Sequence, residues 1–220
     1  MLSTAPAVRP RLRGASHAVA AVASIPVGIW LIGLSPSPGI RVVIAIYAVA
    51  LTAMFAVSAA YHLGRWSAPS RRAIKAADHV TIFCFIPASY GPLAVVVFPG
   101  PVAAVWLGVL WTGAIVGSVV KVRMLDRLGG PADVLYGVLG GSVVLVVPAL
   151  VTRLGAGQLA LLLSGVAFYG LSALSLRARR PDPWPRTFGY HEWAHLCIVA
   201  GAASHVAFNA TLLGWTGLLR

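Results

Sequence analysis

Long apolar stretches recur along the whole chain, and they limit its possible folds more than any other feature. Seven stretches can be delimited, at residues 15–34, 40–62, 76–98, 102–122, 134–152, 158–176 and 189–213. Each is close to the ~20 residues that an α-helix needs to cross the hydrocarbon core of a bilayer. Breaks rich in proline, glycine and serine separate several of them, for example at residues 35–39 and 99–101.

This pattern predicts an all-α, polytopic membrane protein built as a seven-transmembrane helix bundle. The bundle is expected to form one domain, residues 15–213, between a basic tail of residues 1–14 and a short tail of residues 214–220. Of the 220 residues, 59% are hydrophobic and 10% are charged, which excludes an ordinary soluble domain. Cys84 and Cys197 both fall inside predicted helices and indicate no disulfide framework.

The net charge of +12 raises the question of a nucleic-acid partner. The basic residues lie in short clusters between the apolar stretches and not along one helix face, so we predict membrane lipids as partners and no nucleic acid. With the N-terminus in the cytoplasm, 14 of the 17 Lys and Arg residues fall on the cytoplasmic side: Arg9, Arg11, Arg13, Arg65, Arg71, Arg72, Lys75, Lys121, Arg123, Arg127, Arg177, Arg179, Arg180 and Arg186. Only Arg41, Arg153 and Arg220 fall outside. This bias predicts a cytoplasmic N-terminus and an extracytoplasmic C-terminus.

Two histidines at the start of the last apolar stretch indicate a metal site. His191 and His195 are four residues apart, which on a helix places both imidazoles on one face, one turn apart. On the predicted topology, His62 and Asp78 also lie at cytoplasmic ends of helices, at a similar depth. Ionisable groups inside a membrane are costly and usually functional. The alternative is that these histidines are interfacial side chains near helix ends.

Three histidines from two helices would make a three-ligand site with an open coordination position. Catalytic zinc has this form, whereas structural zinc is usually closed by four protein ligands. The open position would hold a water molecule, whose pKa zinc lowers to about 7. Asp78 would serve as the general base, and Ser58, one turn before His62, would hydrogen-bond the water or a substrate oxygen. Asp78 as a helix N-terminal charge and Ser58 as a packing residue remain open alternatives.

The segment from His191 to His195 also matches the His-Glu-x-x-His pattern of zinc metalloproteases, in which the glutamate is the base. This would suggest an intramembrane metalloprotease. The short pattern is only moderately specific, and Glu192 also fits a helix N-terminal charge. His17, at the start of the first stretch, is a candidate for contact with the metal ligands, whereas His205 is about 15 Å along the helix axis from His195. The roles of His17, Glu192 and His205 stay open at this stage.

Four segments together resemble the hemolysin III family, the bacterial branch of the progestin and adipoQ receptor superfamily. They read Ser-Ala-Ala-Tyr-His at residues 58–62, Asp-His at 78–79, Ser-Tyr-Gly-Pro at 89–92 and Phe-Gly-Tyr-His-Glu-Trp-Ala-His at 188–195. The family pattern is Ser-x3-His, an aspartate and His-x3-His, in this order on the second, third and seventh helices. The resemblance extends from about residue 13 to residue 213.

The resemblance implies a seven-helix bundle that binds Zn²⁺ near the cytoplasmic face of a bacterial inner (plasma) membrane. His62, His191 and His195 match the zinc ligands of the family, Asp78 matches the aspartate that holds the zinc-bound water, and Ser58 matches the nearby serine. The superfamily is linked to ceramidases and its bacterial members to membrane-lipid homeostasis, so we expect a zinc-dependent hydrolase of lipid amides or esters. The alternatives are a non-enzymatic, lipid-sensing receptor-like protein and a membrane-lytic protein, each with structural zinc. The oligomeric state is left open.

Overall fold

A computed structural model describes residues 9–126 and 130–214, and the regular structure of these residues is helical apart from one isolated bridge between Trp184 and Phe188. The elements are α1 (Ala15–Leu34), α2 (Pro38–Leu63), α3 (Ala68–Val97), α4 (Gly100–Arg123), α5 (Pro131–Gly141), a 3₁₀ turn (Ser142–Val146), α6 (Val147–Val151), α7 (Ala156–Ala178) and α8 (Tyr190–Leu212).

Within the described residues, seven helical segments are long and apolar enough to cross a membrane. Six are the long helices α1, α2, α3, α4, α7 and α8, and the fifth segment along the chain is assembled from α5, the 3₁₀ turn and α6. The predicted all-α, seven-transmembrane fold is therefore confirmed. Arg127 and Arg220, two of the basic residues on which the predicted orientation is based, lie outside the described residues. Most of the two predicted tails, residues 1–8 and 215–220, also lies outside them.

The predicted boundaries agree with the structure except at two places. The third helix begins at Ala68, eight residues before the predicted start, because Ser67 caps it by accepting a hydrogen bond from the Ser70 N–H and a proline follows the cap. This helix therefore extends through the basic segment of residues 71–75. The fifth apolar stretch was predicted to be one continuous helix, but it changes from α-helical to 3₁₀ geometry at residue 142.

Tyr90 of α3 explains how the change of geometry in the fifth span is accommodated. Its hydroxyl donates a hydrogen bond to the carbonyl oxygen of Gly140 and accepts one from the N–H of Val143, at 3.3 Å. One side chain thus satisfies backbone groups on both sides of the break. A membrane provides no water for such groups, so an irregular helix has to find partners inside the protein.

The order of helix packing brings the two ends of the chain together. Most helices pack against their neighbours in sequence, and α8 packs on α7, α1 and α3. Glycines allow α7 and α8 to lie close: a Cβ atom at Gly165 would be 3.1 Å from the carbonyl oxygen of Gly201, and the reverse distance is the same. The end of the bundle formed by the starts of α1, α3 and α8 and the ends of α2 and α4, here called the basic end, therefore collects residues from across the sequence.

Candidate metal centre

Three histidines converge at the basic end of the bundle. His62 lies in the last turn of α2, and His191 and His195 lie in the first two turns of α8. Each offers one ligand atom, and these three atoms all lie within 4.8 Å of one another. The Nε2 atoms of His62 and His191 are 3.3 Å apart. These three side chains, called the histidine triad below, thus form a compact group that could hold one metal ion.

The chemistry of the triad fits a divalent transition metal. Its three ligand atoms are imidazole nitrogens, and three imidazole ligands are found in open catalytic zinc sites. The ring nitrogen Nδ1 of the buried His195 has no hydrogen-bond partner among the described residues. The described chain therefore supplies no group that satisfies this nitrogen. The free cysteines Cys84 and Cys197 are not part of the group. Three imidazoles also suit other late first-row metals. The ligands therefore indicate a divalent transition metal without selecting which one.

The carboxylate of Glu192 is engaged away from the triad. One of its oxygens accepts a hydrogen bond from the Gly189 N–H at 2.9 Å, which caps the start of α8. The other oxygen accepts a hydrogen bond from Nε of Arg13, and Glu192 is only 3% exposed. The sequence left two alternatives for Glu192, a catalytic base and a helix N-terminal charge. These contacts agree with the helix N-terminal charge.

The segment before α1 crosses the basic end and is fixed there by its backbone. The N–H of Arg11 donates to the Arg186 carbonyl oxygen at 3.1 Å, and the N–H of Leu12 donates to that of Thr187 at 3.0 Å. Gly14 has a φ of 82° and packs so closely that a Cβ atom on it would lie 2.8 Å from the Cβ of His62. Sequence reasoning did not find this covering segment, because its contacts join residues about 175 positions apart.

Ser58 and Asp78 lie together on α2 and α3, one turn of α2 away from His62. Ser58 is buried on α2, one turn before His62, and its side chain interacts with the carboxylate of Asp78 on α3. In the described part of the chain, no hydrogen bond or ion pair joins Asp78 to a histidine of the triad. The predicted base therefore stands beside the candidate ligands and outside their set, which leaves its assignment as a base a prediction.

The remaining histidines separate into one that contacts the triad and two that do not. His17 of α1 stacks on His195, with 3.9 Å between ring centroids. His205 lies deeper in the bundle, where its Nε2 is 3.2 Å from the carbonyl oxygen of Leu162. His79 faces α5, as expected for the neighbour of Asp78, and its carbonyl oxygen accepts a hydrogen bond from the Tyr136 hydroxyl at 3.0 Å.

His79 belongs to a second polar group inside the bundle, called the paired cluster below, which consists of His79, Lys121, Asp133 and Tyr136. Lys121 is 3% exposed although it carries a charge, and its Nζ lies 2.5 Å from a carboxylate oxygen of Asp133. The Tyr136 ring also stacks on Phe83 at 4.0 Å between centroids. In the sequence, Lys121 is only one of the predicted cytoplasmic charges, because nothing in the sequence pairs it with Asp133.

A polytopic all-α membrane protein with a histidine triad at one end of its bundle is the class that this fold and site define. Residues 6–206 match the family model described as "Haemolysin-III related", and the chain belongs to this family. It is similar to Hemolysin-3 of Bacillus cereus, with 24% identity over 191 residues that cover 86% of this chain and 84% of that protein. The predicted family membership is thereby confirmed, and the protein is an integral membrane protein.

Proposed function

We propose that this protein is a zinc-dependent hydrolase that cleaves an amide or ester bond of a membrane lipid and so contributes to membrane-lipid homeostasis. One observation carries the proposal: three imidazoles from two helices converge, and a buried serine one turn from His62 contacts a partly buried carboxylate that does not join the ligand group. A closed structural site usually has four protein ligands, whereas a catalytic site has three and keeps one position open.

His62, His191 and His195 would hold the ion, and each remaining polar residue has a role in the same reaction. When bound there, zinc would supply Lewis-acid polarisation of a carbonyl group and a lowered pKa of water. Asp78 would accept the proton of the attacking water as its oxygen forms a bond to the carbonyl carbon. Asp78 would then return this proton to the leaving amine nitrogen or alcohol oxygen as the C–N or C–O bond breaks. Ser58 would orient the Asp78 carboxylate through the contact between the two side chains.

A lipid is the substrate class that the surroundings of the triad favour. The triad lies at the end of helices that are long and apolar enough to cross a membrane. An acyl chain can remain in the hydrocarbon phase while its amide or ester group reaches the depth of the interface. Glu192, the base that an intramembrane metalloprotease would use, is held by Arg13 and Gly189, which disfavours that alternative.

A non-enzymatic function is the second candidate, and the name of the curated relative, Hemolysin-3, favours its lytic form. In a lytic or a lipid-sensing, receptor-like protein, the metal would only clamp α2 to α8. The two classes predict different consequences of removing the base. A hydrolase needs Asp78 for turnover, whereas a clamp needs only the three ligands.

The deciding experiment gives purified, zinc-loaded protein a panel of ceramides and phospholipids and compares Asp78→Ala with His191→Ala. A hydrolase requires that the wild type releases a fatty acid and that Asp78→Ala keeps its fold and zinc but loses turnover. The absence of turnover in every version, together with a loss of thermal stability in His191→Ala that follows the loss of metal, would overturn the proposal in favour of a clamp. Lysis of red cells by the wild type and both variants alike would favour the lytic protein.

The identity of the ligands and of the metal is tested separately by elemental analysis. We expect about one zinc ion per chain in the wild type, since three imidazoles form one mononuclear site. His191→Ala and His195→Ala should each lose most of it. Full zinc occupancy in both variants would mean that the ligands are elsewhere, and iron or cobalt in place of zinc would correct the metal alone.

We also propose that the protein lies in a bacterial inner membrane with its N-terminus in the cytoplasm and its C-terminus outside. The split of 14 against 3 basic residues supports this orientation, and an odd number of spans places the termini on opposite sides. Reporter fusions after Arg186 and after residue 220 should report opposite sides of the membrane. The same side for both fusions would contradict the topology.

A further inference from the structure

His17 lies against the histidine triad, and its ring nitrogens have no partner in the described protein. This residue is on the inner face of α1 and is 2% exposed. Its ring is nearly parallel to that of His195, with an angle of 8° between the planes, and its edge meets Phe55 at 5.1 Å between centroids. Neither Nδ1 nor Nε2 makes a hydrogen bond, although the ring approaches the backbone of His195.

Packing alone does not account for an imidazole at this position. The contacts with His195 and Phe55 are contacts between ring faces and ring edges, and a phenyl ring would make both. A phenyl ring has no polar atoms, whereas each buried nitrogen without a partner costs free energy comparable to a lost hydrogen bond. The imidazole of His17 therefore needs a partner that the chain does not provide.

The other two histidines outside the triad show the usual solution to this problem. His205 is also buried, and its Nε2 has the Leu162 carbonyl oxygen as a partner. The Nδ1 atom of His79 lies 3.5 Å from the hydroxyl oxygen of Tyr136. Among the histidines of the described residues, buried ring nitrogens without a partner occur on His17 and His195, the two rings that stack on each other. For the histidines, the missing partners therefore lie at the candidate metal centre.

The position of α1 makes His17 a neighbour of the triad. The triad is supplied by α2 and α8, and α1 packs on both of these helices. Ser58 and Asp78 lie toward α3, so His17 approaches the centre from a different helix. His17 is not in the group whose ligand atoms all lie within 4.8 Å of one another, so it is placed beside the ligands and not among them.

We propose that a ring nitrogen of His17 hydrogen-bonds to the molecule that occupies the open coordination position, and that His17 is thereby a substrate-binding residue of the centre. This inference rests on the proposed function, because it requires a metal at the triad. It assigns to the substrate a polar group with hydrogen-bonding capacity next to the oxygen that meets the metal. A lipid amide or a lipid with a neighbouring hydroxyl group has this chemistry, and a simple thioester does not.

The test compares full-length wild type, His17→Phe and His17→Ala, with acetohydroxamate as the probe. This small molecule binds zinc through its carbonyl and hydroxamate oxygens and carries an N–H group between them. In zinc-loaded protein, titration calorimetry should show that both variants keep their zinc and bind the probe about ten- to a hundredfold more weakly than the wild type. In metal-free protein, His17→Phe should melt no lower than the wild type, because it removes two unpartnered nitrogens.

His205→Phe is the matched control, since it removes the imidazole of another buried histidine from the same bundle. It should melt lower than the wild type, because the Leu162 carbonyl oxygen loses its partner, but it should bind the probe with unchanged affinity.

In zinc-loaded protein, two results would overturn the role of His17. If His17→Phe binds the probe like the wild type and only His17→Ala is impaired, the ring acts by stacking. If His17→Phe loses its zinc, the nitrogen is a metal ligand. A wild type that binds no zinc would overturn the proposed function itself. The melting comparison of metal-free proteins would still test His17, because a clearly lower melting temperature of His17→Phe would show that its nitrogens already have partners in the chain.

Discussion

The histidine triad and the paired cluster are both polar groups inside this bundle, and they differ in whether the chain completes them. In the paired cluster, the Lys121 ammonium meets the Asp133 carboxylate at 2.5 Å and the Tyr136 hydroxyl meets a carbonyl oxygen of α3. The histidine triad is not completed by oppositely charged groups or by carbonyl oxygens of the chain in the same way. Two of its Nε2 atoms face each other at 3.3 Å, and His195 and the adjacent His17 have ring nitrogens without partners.

The difference indicates which buried polar group serves the fold and which serves a ligand. Polar groups inside a protein are nearly always hydrogen-bonded. Inside a membrane an unpaired polar group is especially costly in free energy, because no water is present to hydrogen-bond to it. The paired cluster satisfies this rule within the chain and holds α4 to α5. His195 of the triad and the adjacent His17 do not satisfy it, which is the expected state of a site that is completed by a metal ion and a bound molecule.

Breaking the paired cluster should have the largest effect on stability. Asp133→Leu leaves the ammonium group of Lys121, which is 3% exposed, without its carboxylate partner and should lower the free energy of unfolding by about 3 kcal/mol, since a buried charge is left uncompensated. Chemical unfolding in detergent micelles measures this loss. The double variant Lys121→Met/Asp133→Leu should recover most of it, and a double variant as unstable as the single one would mean that the pair is not the stabilising unit.

Removal of the metal should have the next largest effect, and it should depend on the triad alone. At a free zinc concentration of 100 times Kd, binding stabilises the folded state by about 2.7 kcal/mol, so a chelator should lower the melting temperature of the wild type. His62→Ala should melt at the same temperature with and without the chelator. An equal chelator effect in His62→Ala would place the stabilising metal outside the triad.

Substitution of Glu192 should have a smaller effect that leaves the metal in place. Glu192→Ala removes the cap of α8 and the partner of Arg13, and loss of a cap costs about 1 kcal/mol. Glu192→Gln is the matched control, because its amide oxygen can still accept from the Gly189 N–H. Both variants should keep the zinc content of the wild type. If Glu192→Gln lost zinc or turnover while its stability was unchanged, the metalloprotease alternative would regain support.

The smallest effect is expected at an exposed ion pair of the basic end. Hydrogen bonds from Lys75 and then from Arg72 hold the pKa of Asp126 below its ordinary value. A lowered pKa in the folded state contributes stability above the ordinary Asp pKa of about 3.9, and this contribution is lost as the pH falls through the folded-state value. Because Asp126 is exposed, Asp126→Asn should melt at the temperature of the wild type at pH 7, within the error of a thermal scan. A clear difference between the two melting curves at pH 7 that disappears by pH 3 would show that this surface pair is stronger than its exposure implies.

Much of the fold and of the candidate site could be predicted from the sequence because two local rules apply. Apolar length gave the seven spans, and the spacing of His191 and His195 placed both rings on one helix face. The long-range features were harder to predict. The contact of Arg13 with Glu192 and that of Lys121 with Asp133 join different helices, and no sequence spacing encodes them. The break in the fifth span was missed because an apolar run looks the same in α-helical and 3₁₀ geometry.

The sequence by itself determined that the chain is a helical membrane protein with a histidine pair in its last span. These properties follow from hydrophobic transfer and helical periodicity, which act over a single segment of about 20 residues. Only the tertiary structure decided that His62 completes a triad, that Glu192 is bound to Arg13, and that His17 stacks on His195 without a partner for its nitrogens. These facts depend on which helices are neighbours in the bundle. Within a membrane this choice is made by close packing and by the satisfaction of polar groups between helices, which involve the whole chain at once.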